Sequence, residues 1–240
     1  MKTSTKTNPE PTTTRKRILL VDDQPAVREG LTTVINQTPD LIICGTAASP
    51  AEALAAITKL KPDAALVDLS LQDGNGLELI KDIRSYYGDK LPTIVLSMYD
   101  EMLYADRALR AGALGYIMKS EPMQVVIEGL RRVLRGEVCV SSQLNSRILG
   151  SYVTKKEPKL RSPIELLSDR ELEVFELIGQ GLSTREAAGR LHLSMKTVSC
   201  YRENIKNKLG LRHTAELLRH AVHWNEQAGS KAAVSTKGAA

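Results

Sequence analysis

The chain has 240 residues, 42% hydrophobic and 25% charged, enough for two modest domains that each bury a core. No apolar run approaches the roughly 18 residues of a membrane span, and the Thr-, Lys- and Pro-rich start has no apolar stretch of a secretory signal, so no membrane partner and a cytoplasmic location are expected. The net charge of +5 is uneven: residues 16–140 carry 14 basic and 17 acidic side chains, residues 183–212 carry 7 basic and 2 acidic ones, so the two halves should meet different partners.

Aromatic residues make up only 4% of the chain, which argues against a protein that stacks single-stranded bases. Cys44, Cys139 and Cys200 lack metal-ligand spacing and read as reduced thiols, with Cys44 in an apolar run expected to be core.

Residues 1–15 are expected to form a disordered tail. From there to residue 138, short apolar runs alternate with longer amphipathic ones. The runs are ILLV (18–21), LIICGTA (41–47), AALV (64–67), TIVLS (93–97) and LGYIM (114–118); the helix-like segments are 25–36, 51–60, 76–86, 101–111 and 122–135. Five such repeats with nearly all-apolar strands predict a parallel sheet buried on both faces, a doubly wound α/β domain. Pro25 and Pro122 fit first-turn positions of the first and fifth helices.

Residues 139–164 show no sustained periodicity, end in KKEPKLRSP and read as a linker. From Ser168 the pattern is helical, predicting a small all-α domain of four helices over residues 165–224. SDRE (168–171) has the form of a capping box, Gly181 ends the first helix, Thr184 to Leu191 form a second, and Ser194 caps a third that ends before Gly210. A fourth helix is expected from about His213 to Trp224, with residues 225–240 a disordered polar tail.

In open parallel sheets, ligands bind outside the carboxyl ends of the strands. There the sequence places Asp22 and Asp23 after the first strand, Asp68 after the third, Ser97 at the end of the fourth and Lys119 after the fifth. One aspartate at a strand end merely begins a turn. Three together repel one another unless a cation neutralises them, and oxygen-only ligands suit a hard ion such as Mg²⁺. A lysine and a hydroxyl facing that ion suit a transferred phosphoryl group.

The stretches LVDD (20–23), LVDLSLQDGNGLEL (66–79), LSMYDE (96–101) and RAGALGYIMKS (110–120) resemble the CheY-like receiver domains of two-component response regulators. The resemblance implies that Asp68 accepts a phosphoryl group from a sensor histidine kinase. It further implies Mg²⁺ held by Asp23, Asp68 and the Ser70 backbone carbonyl, with Asp22 helping through water. Lys119 would pair with the phosphate, and Ser97 and Tyr116 would be the switch residues. Gln72 and Ser120 stand where many receivers carry proline. No enzyme activity beyond self-phosphorylation and dephosphorylation at Asp68 is expected.

LSDRELEVFELIGQGLSTREAAGRLHLSMKTVSCYRENIKNKLGL (167–211) resembles the LuxR/FixJ-type helix-turn-helix. Leu172, Val174, Phe175 and Ile178 make an apolar face on its first helix. On the third helix Val198, Ile205 and Leu209 recur at near-helical spacing and should face the core. That leaves Lys196, Ser199, Cys200, Glu203 and Lys206 towards a major groove, with Thr184, Arg185, Thr197, Tyr201 and Arg202 near phosphates. Glu203 either accepts from a cytosine amino group or pairs with Lys206 or Lys208. The two resemblances together imply a phosphorylation-switched transcription factor that dimerises over paired half-sites of double-stranded DNA. A protein-interaction role for the helical domain is the competing reading, distinguished by the salt dependence of DNA binding.

Overall fold

The computed structural model describes residues 15–71, 74–153, 163–191 and 193–235; Gln72 and the expected N-terminal tail up to residue 14 lie outside them. The first domain runs β1 (Lys16–Val21), α1 (Pro25–Asn36), β2 (Leu41–Ala47), α2 (Pro50–Leu60), β3 (Ala64–Val67), α3 (Gly76–Tyr87), β4 (Thr93–Ser97), α4 (Glu101–Ala111), β5 (Gly115–Met118) and α5 (Met123–Leu134). A two-residue antiparallel ladder, Ser70–Leu71 against Gly74–Asn75, sits between β3 and α3.

All five strands are parallel, in the order β2-β1-β3-β4-β5. Alternate side chains of the central strands point to opposite faces, so an apolar strand feeds two cores at once. Ile18, Leu20, Leu66 and Ile94 pack with Leu31 and Ile35 of α1 and Val126, Leu130 and Val133 of α5. Leu19, Val21, Val67 and Val95 pack with Ala53 and Ile57 of α2, Ile80 and Ile83 of α3 and Ala105 and Ala108 of α4. The strand order reverses between β1 and β3, which opens a crevice at their carboxyl ends.

Several elements depart from expectation. β2 is an edge strand and its middle is only half-buried, so Cys44 is not core. Register slips there as well: Ile18 pairs Ile43 and Leu19 pairs Gly45, leaving Cys44 as the extra residue of a bulge. Pro122 is the N-cap of α5 rather than a first-turn residue. Beyond α5 the chain returns to the sheet: Tyr116 N donates to Cys139 O and Cys139 N donates to Leu114 O, each at 2.8 Å, which covers the β5 edge. The expected linker contains a helix, α6 (Ser142–Val153).

The second domain holds α7 (Asp169–Gly179), α8 (Thr184–Arg190), α9 (Met195–Leu209) and α10 (Thr214–Ser235). Ser168 and Glu171 form the capping box that starts α7, and Ser183 with Glu186 forms another that starts α8. Ser194 caps α9, and Gly210 ends it at a φ of 69°. Val198, Ile205, Leu172, Phe175, Ala187 and Leu217 build the domain core. α10 continues to Ser235, past the Trp224 boundary expected from composition.

Candidate functional site

Asp22, Asp23 and Asp68 meet at the crevice between β1 and β3, their nearest ligand oxygens all within 4.8 Å of one another. Main-chain bonds fix their places: Asp22 N donates to Ala47 O at 3.0 Å and Asp68 N to Val21 O at 2.8 Å. Gly76 brings α3 in close, because a Cβ there would collide with the Asp68 carbonyl oxygen and lie 2.6 Å from Leu69 Cα. Asn75 caps α3, its side chain accepting from Leu77 N at 2.6 Å.

Lys119 reaches in from the end of β5 and bridges Asp22 at 2.7 Å and Asp68 at 2.8 Å. Burial lowers the ammonium's proton affinity, but the two carboxylates outweigh it and hold the pKa above the usual lysine value. Burial pushes the Asp68 carboxyl up to about 6, against the pull of Lys119. Asp23 is raised by burial and by Asp22, with Lys119 and Arg190 opposing. Asp23 Oδ1 and Asp68 Oδ1 are buried with no hydrogen-bond partner among the described residues. Two orphaned oxygens in an all-oxygen cluster fit a hard divalent cation.

Ser97 is buried at the end of β4, its hydroxyl accepting from Tyr99 N at 3.2 Å. The Tyr116 hydroxyl is turned inward and donates to Tyr99 O at 2.8 Å. Tyr99 in turn stacks on Tyr104 with centroids 4.7 Å apart, and its hydroxyl donates to Ser70 Oγ at 3.4 Å. Ser97 and Tyr116 are thus tied together through Tyr99, a residue the sequence did not mark.

The crevice is a cavity of about 550 Å³, and both domains line it. Asp23, Asp68, Ser70, Ser97 and Lys119 form the receiver wall; Glu173 and Leu177 of α7, Gln180 at its C-cap and Arg190 of α8 form the other. Arg107 holds the seam, donating to Asp169 at 2.8 Å and to Leu167 O at 2.7 Å. Lys81 also pairs with Asp169, and Asn75 donates to Glu173. No local pattern marked Glu173 or Arg190, because each reads as solvent-facing on its own helix.

None of the predicted DNA-contacting residues lines this cavity. Lys196, Ser199, Cys200 and Glu203 of α9 are exposed, as is Arg185 of α8, while Thr184, Thr197, Tyr201, Arg202 and Lys206 are half-buried. Val198 and Ile205 are fully buried and Leu209 packs against the core, which fixes the helix rotation. Thr197 is bound locally: its amide donates to Ser194 Oγ at 3.0 Å and the two hydroxyls lie 2.7 Å apart. Glu203 pairs with Lys206 at 2.9 Å, while Lys208 reaches Glu171 at 2.6 Å. No helix among the described residues is long and apolar enough to cross a membrane.

Comparison with known proteins agrees with this division. Residues 18–131 match the response regulator receiver domain, and residues 165–221 match the bacterial regulatory proteins of the luxR family. Oxygen regulatory protein NreC of Staphylococcus aureus is 33% identical over 210 residues, covering 86% of this chain and 96% of NreC. A LuxR-family two-component response regulator from Aurantimonas is 30% identical, with a TM-score of 0.54 over 58% of this chain and 99% of its own. RcsB of Salmonella enterica serovar Typhimurium, bound to promoter DNA in the presence of phosphomimetic BeF₃⁻, shares the fold with a TM-score of 0.60 at 24% identity, over 87% of this chain and 98% of RcsB. The chain therefore belongs to the response-regulator family, with a receiver domain joined to a LuxR-type DNA-binding domain.

Proposed function

We propose that this protein is a transcription factor of a two-component system, switched by a phosphoryl group on Asp68. The observation that carries the reading is the grip of Lys119 on Asp22 and Asp68 beside two buried, unpartnered carboxylate oxygens. Such a cluster accepts a cation and offers a carboxylate nucleophile in one place. Asp22, Asp23, Asp68 and the Ser70 carbonyl would hold Mg²⁺, which when bound neutralises charge around the incoming phosphoryl group. An oxygen of Asp68 attacks phosphorus as the P–N bond of a sensor kinase's phosphohistidine breaks, and the imidazole nitrogen keeps the electron pair. Lys119 then turns from the carboxylates to the phosphoryl oxygens.

Ser97 and Tyr116 would carry the change outward, because both meet at Tyr99. The response is dimerisation of the chain and placement of α9 in the major groove of paired half-sites. Lys196, Ser199, Cys200, Glu203 and Lys206 would face bases, and Thr184, Arg185, Thr197, Tyr201 and Arg202 the backbone. NreC is an oxygen regulatory protein and RcsB binds promoter DNA; the first likeness supports a regulator, the second one that works on DNA, and the reading puts it in the cytoplasm. The test is labelling with radioactive acetyl phosphate and Mg²⁺, followed by a DNA-binding titration. Label on wild type but not on Asp68→Asn, with tighter DNA binding of the labelled form, is expected. Label retained by Asp68→Asn overturns the assignment.

A further inference from the structure

We propose that the seam between α7 and the receiver is a proton-linked latch, in which Glu176 takes up a proton to seat against Tyr104 and releases it when the domains part. It adds a second input to the site of the proposed phosphoryl switch and matters to signalling only if that reading holds, but the latch itself needs no phosphate.

The argument starts from what surrounds one carboxyl. Glu176 is 8% exposed, on the side of α7 that meets α4. From α4 the Tyr104 hydroxyl faces it and opposes the upward shift, yet Tyr104 Oη and Glu176 Oε2 are both buried and form no well-aligned hydrogen bond among the described residues. Asp100, the N-cap of α4, and Glu173, one turn back on α7, add negative charge around it. Tyr99 and Tyr116 contribute only neutral rings. The nearby cation, Arg107, is already bound to Asp169 and the Leu167 carbonyl. From α10, Asn225 reaches only the Glu176 backbone carbonyl, at 3.2 Å.

An ionised carboxylate in that setting is buried among like charges, and the Tyr104 hydroxyl's donation offsets only part of that cost. A protonated one is neutral and can donate to the Tyr104 hydroxyl with a small side-chain rotation. Burial pushes the Glu176 carboxyl up to about 8, well above its ordinary 4.5. In the parted state α7 turns this face to water and the ordinary value returns. Closure therefore binds a proton between those limits. Compactness is fully favoured below about 4.5, falls by up to about tenfold in the closed-to-open ratio per pH unit, and levels off above about 8. Because α7 walls the Asp68 cavity, opening the latch uncovers that cavity.

Small-angle scattering of the full chain from about pH 6 to about pH 9 tests this. Wild type, Glu176→Gln, and each combined with Arg107→Ala are compared; removing the Arg107–Asp169 pair brings opening into the measurable range. The expected result is a radius of gyration that rises with pH when Glu176 is present and rises less in the Gln variants, where Glu173, itself pushed up to about 7 by burial, still titrates in the seam, in at least one of the two backgrounds. A flat response in both Glu176-containing proteins, or the same rise in the Gln variants, overturns the latch. A carboxyl ¹³C titration of wild type gives an independent check: a Glu176 midpoint near 4.5 in the compact protein overturns it too. Acetyl phosphate labelling of the same wild-type sample separates the failures, since absent label defeats the phosphoryl reading and leaves the latch standing.

Discussion

Lys119 holds two carboxylates at once, Asp22 at 2.7 Å and Asp68 at 2.8 Å, and leaves Asp68 Oδ1 buried without a partner among the described residues. One cation among three acids keeps the site electrically incomplete. A proton and a divalent ion therefore compete for the same oxygens, and the Asp68 carboxyl titrates near 6 rather than near 3.8.

That competition sets a pH dependence. A protonated carboxyl is a poor nucleophile, so at low Mg²⁺ the rate of labelling by acetyl phosphate should fall about tenfold per pH unit below about 6. Raising Mg²⁺ should move the midpoint to lower pH, because the ion displaces the proton. Initial rates at three Mg²⁺ concentrations check it; a midpoint that ignores Mg²⁺ would separate the metal from Asp68.

The same shift makes a stability prediction. A carboxyl raised on folding contributes stability below its unfolded value near 3.8 and loses it as pH rises through about 6. At pH 7 the ionised Asp68 is therefore a burden, and Asp68→Asn without Mg²⁺ should gain on the order of 1–3 kcal/mol. Urea unfolding at pH 7 and at about pH 4 compares them, and the gain should shrink at the lower pH.

Gly76→Ala acts on the backbone instead. Its methyl group would meet the Asp68 carbonyl and Leu69 Cα, neither of which can rotate away. A loss of about 1–3 kcal/mol is expected, with slower labelling of Asp68 because β3's loop must shift. Unchanged labelling kinetics together with unchanged stability would mean that α3 can slide, and the close approach is not needed.

The sheet and the acid set were legible because apolar runs fix strands and the residue after each run falls at the carboxyl end. The edge position of β2 was not: LIICGTA is as apolar as a central strand, and only strand order exposes it. α6 escaped because SQLNSRILGSYV has mixed polarity; contacts from outside it fix its start, with Ser141 N donating to Glu101 at 2.8 Å and Leu144 buried. The segment after Trp224 read as small and polar, yet its Glu, Gln, Lys and Ala are good helix formers. Glu173 and Glu176 lie off the apolar face of α7 and look like solvent-facing acids. Nothing local says that a second domain will cover them.

On α9 the burial of Val198 and Ile205 fixes the rotation, so Ser199 and Cys200 are exposed on the opposite side while Arg202 lies half-buried at its flank. A flanking arginine suits a phosphate, and its removal costs a contact that every sequence offers alike. Arg202→Ala should weaken specific and random duplexes together and reduce the salt slope by about 1 per subunit. Ser199 has a short hydroxyl that reaches a base edge if the helix enters the groove. Its replacement by alanine should reorder the preferred sequences, at roughly 1–3 kcal/mol for each lost base contact. Glu203 is already neutralised by Lys206, so Glu203→Gln should change the motif less than Ser199→Ala does. Selection from a random duplex pool at two salt concentrations reads all three variants together. A motif altered by Arg202→Ala and untouched by Ser199→Ala would mean that α9 meets DNA with a different face.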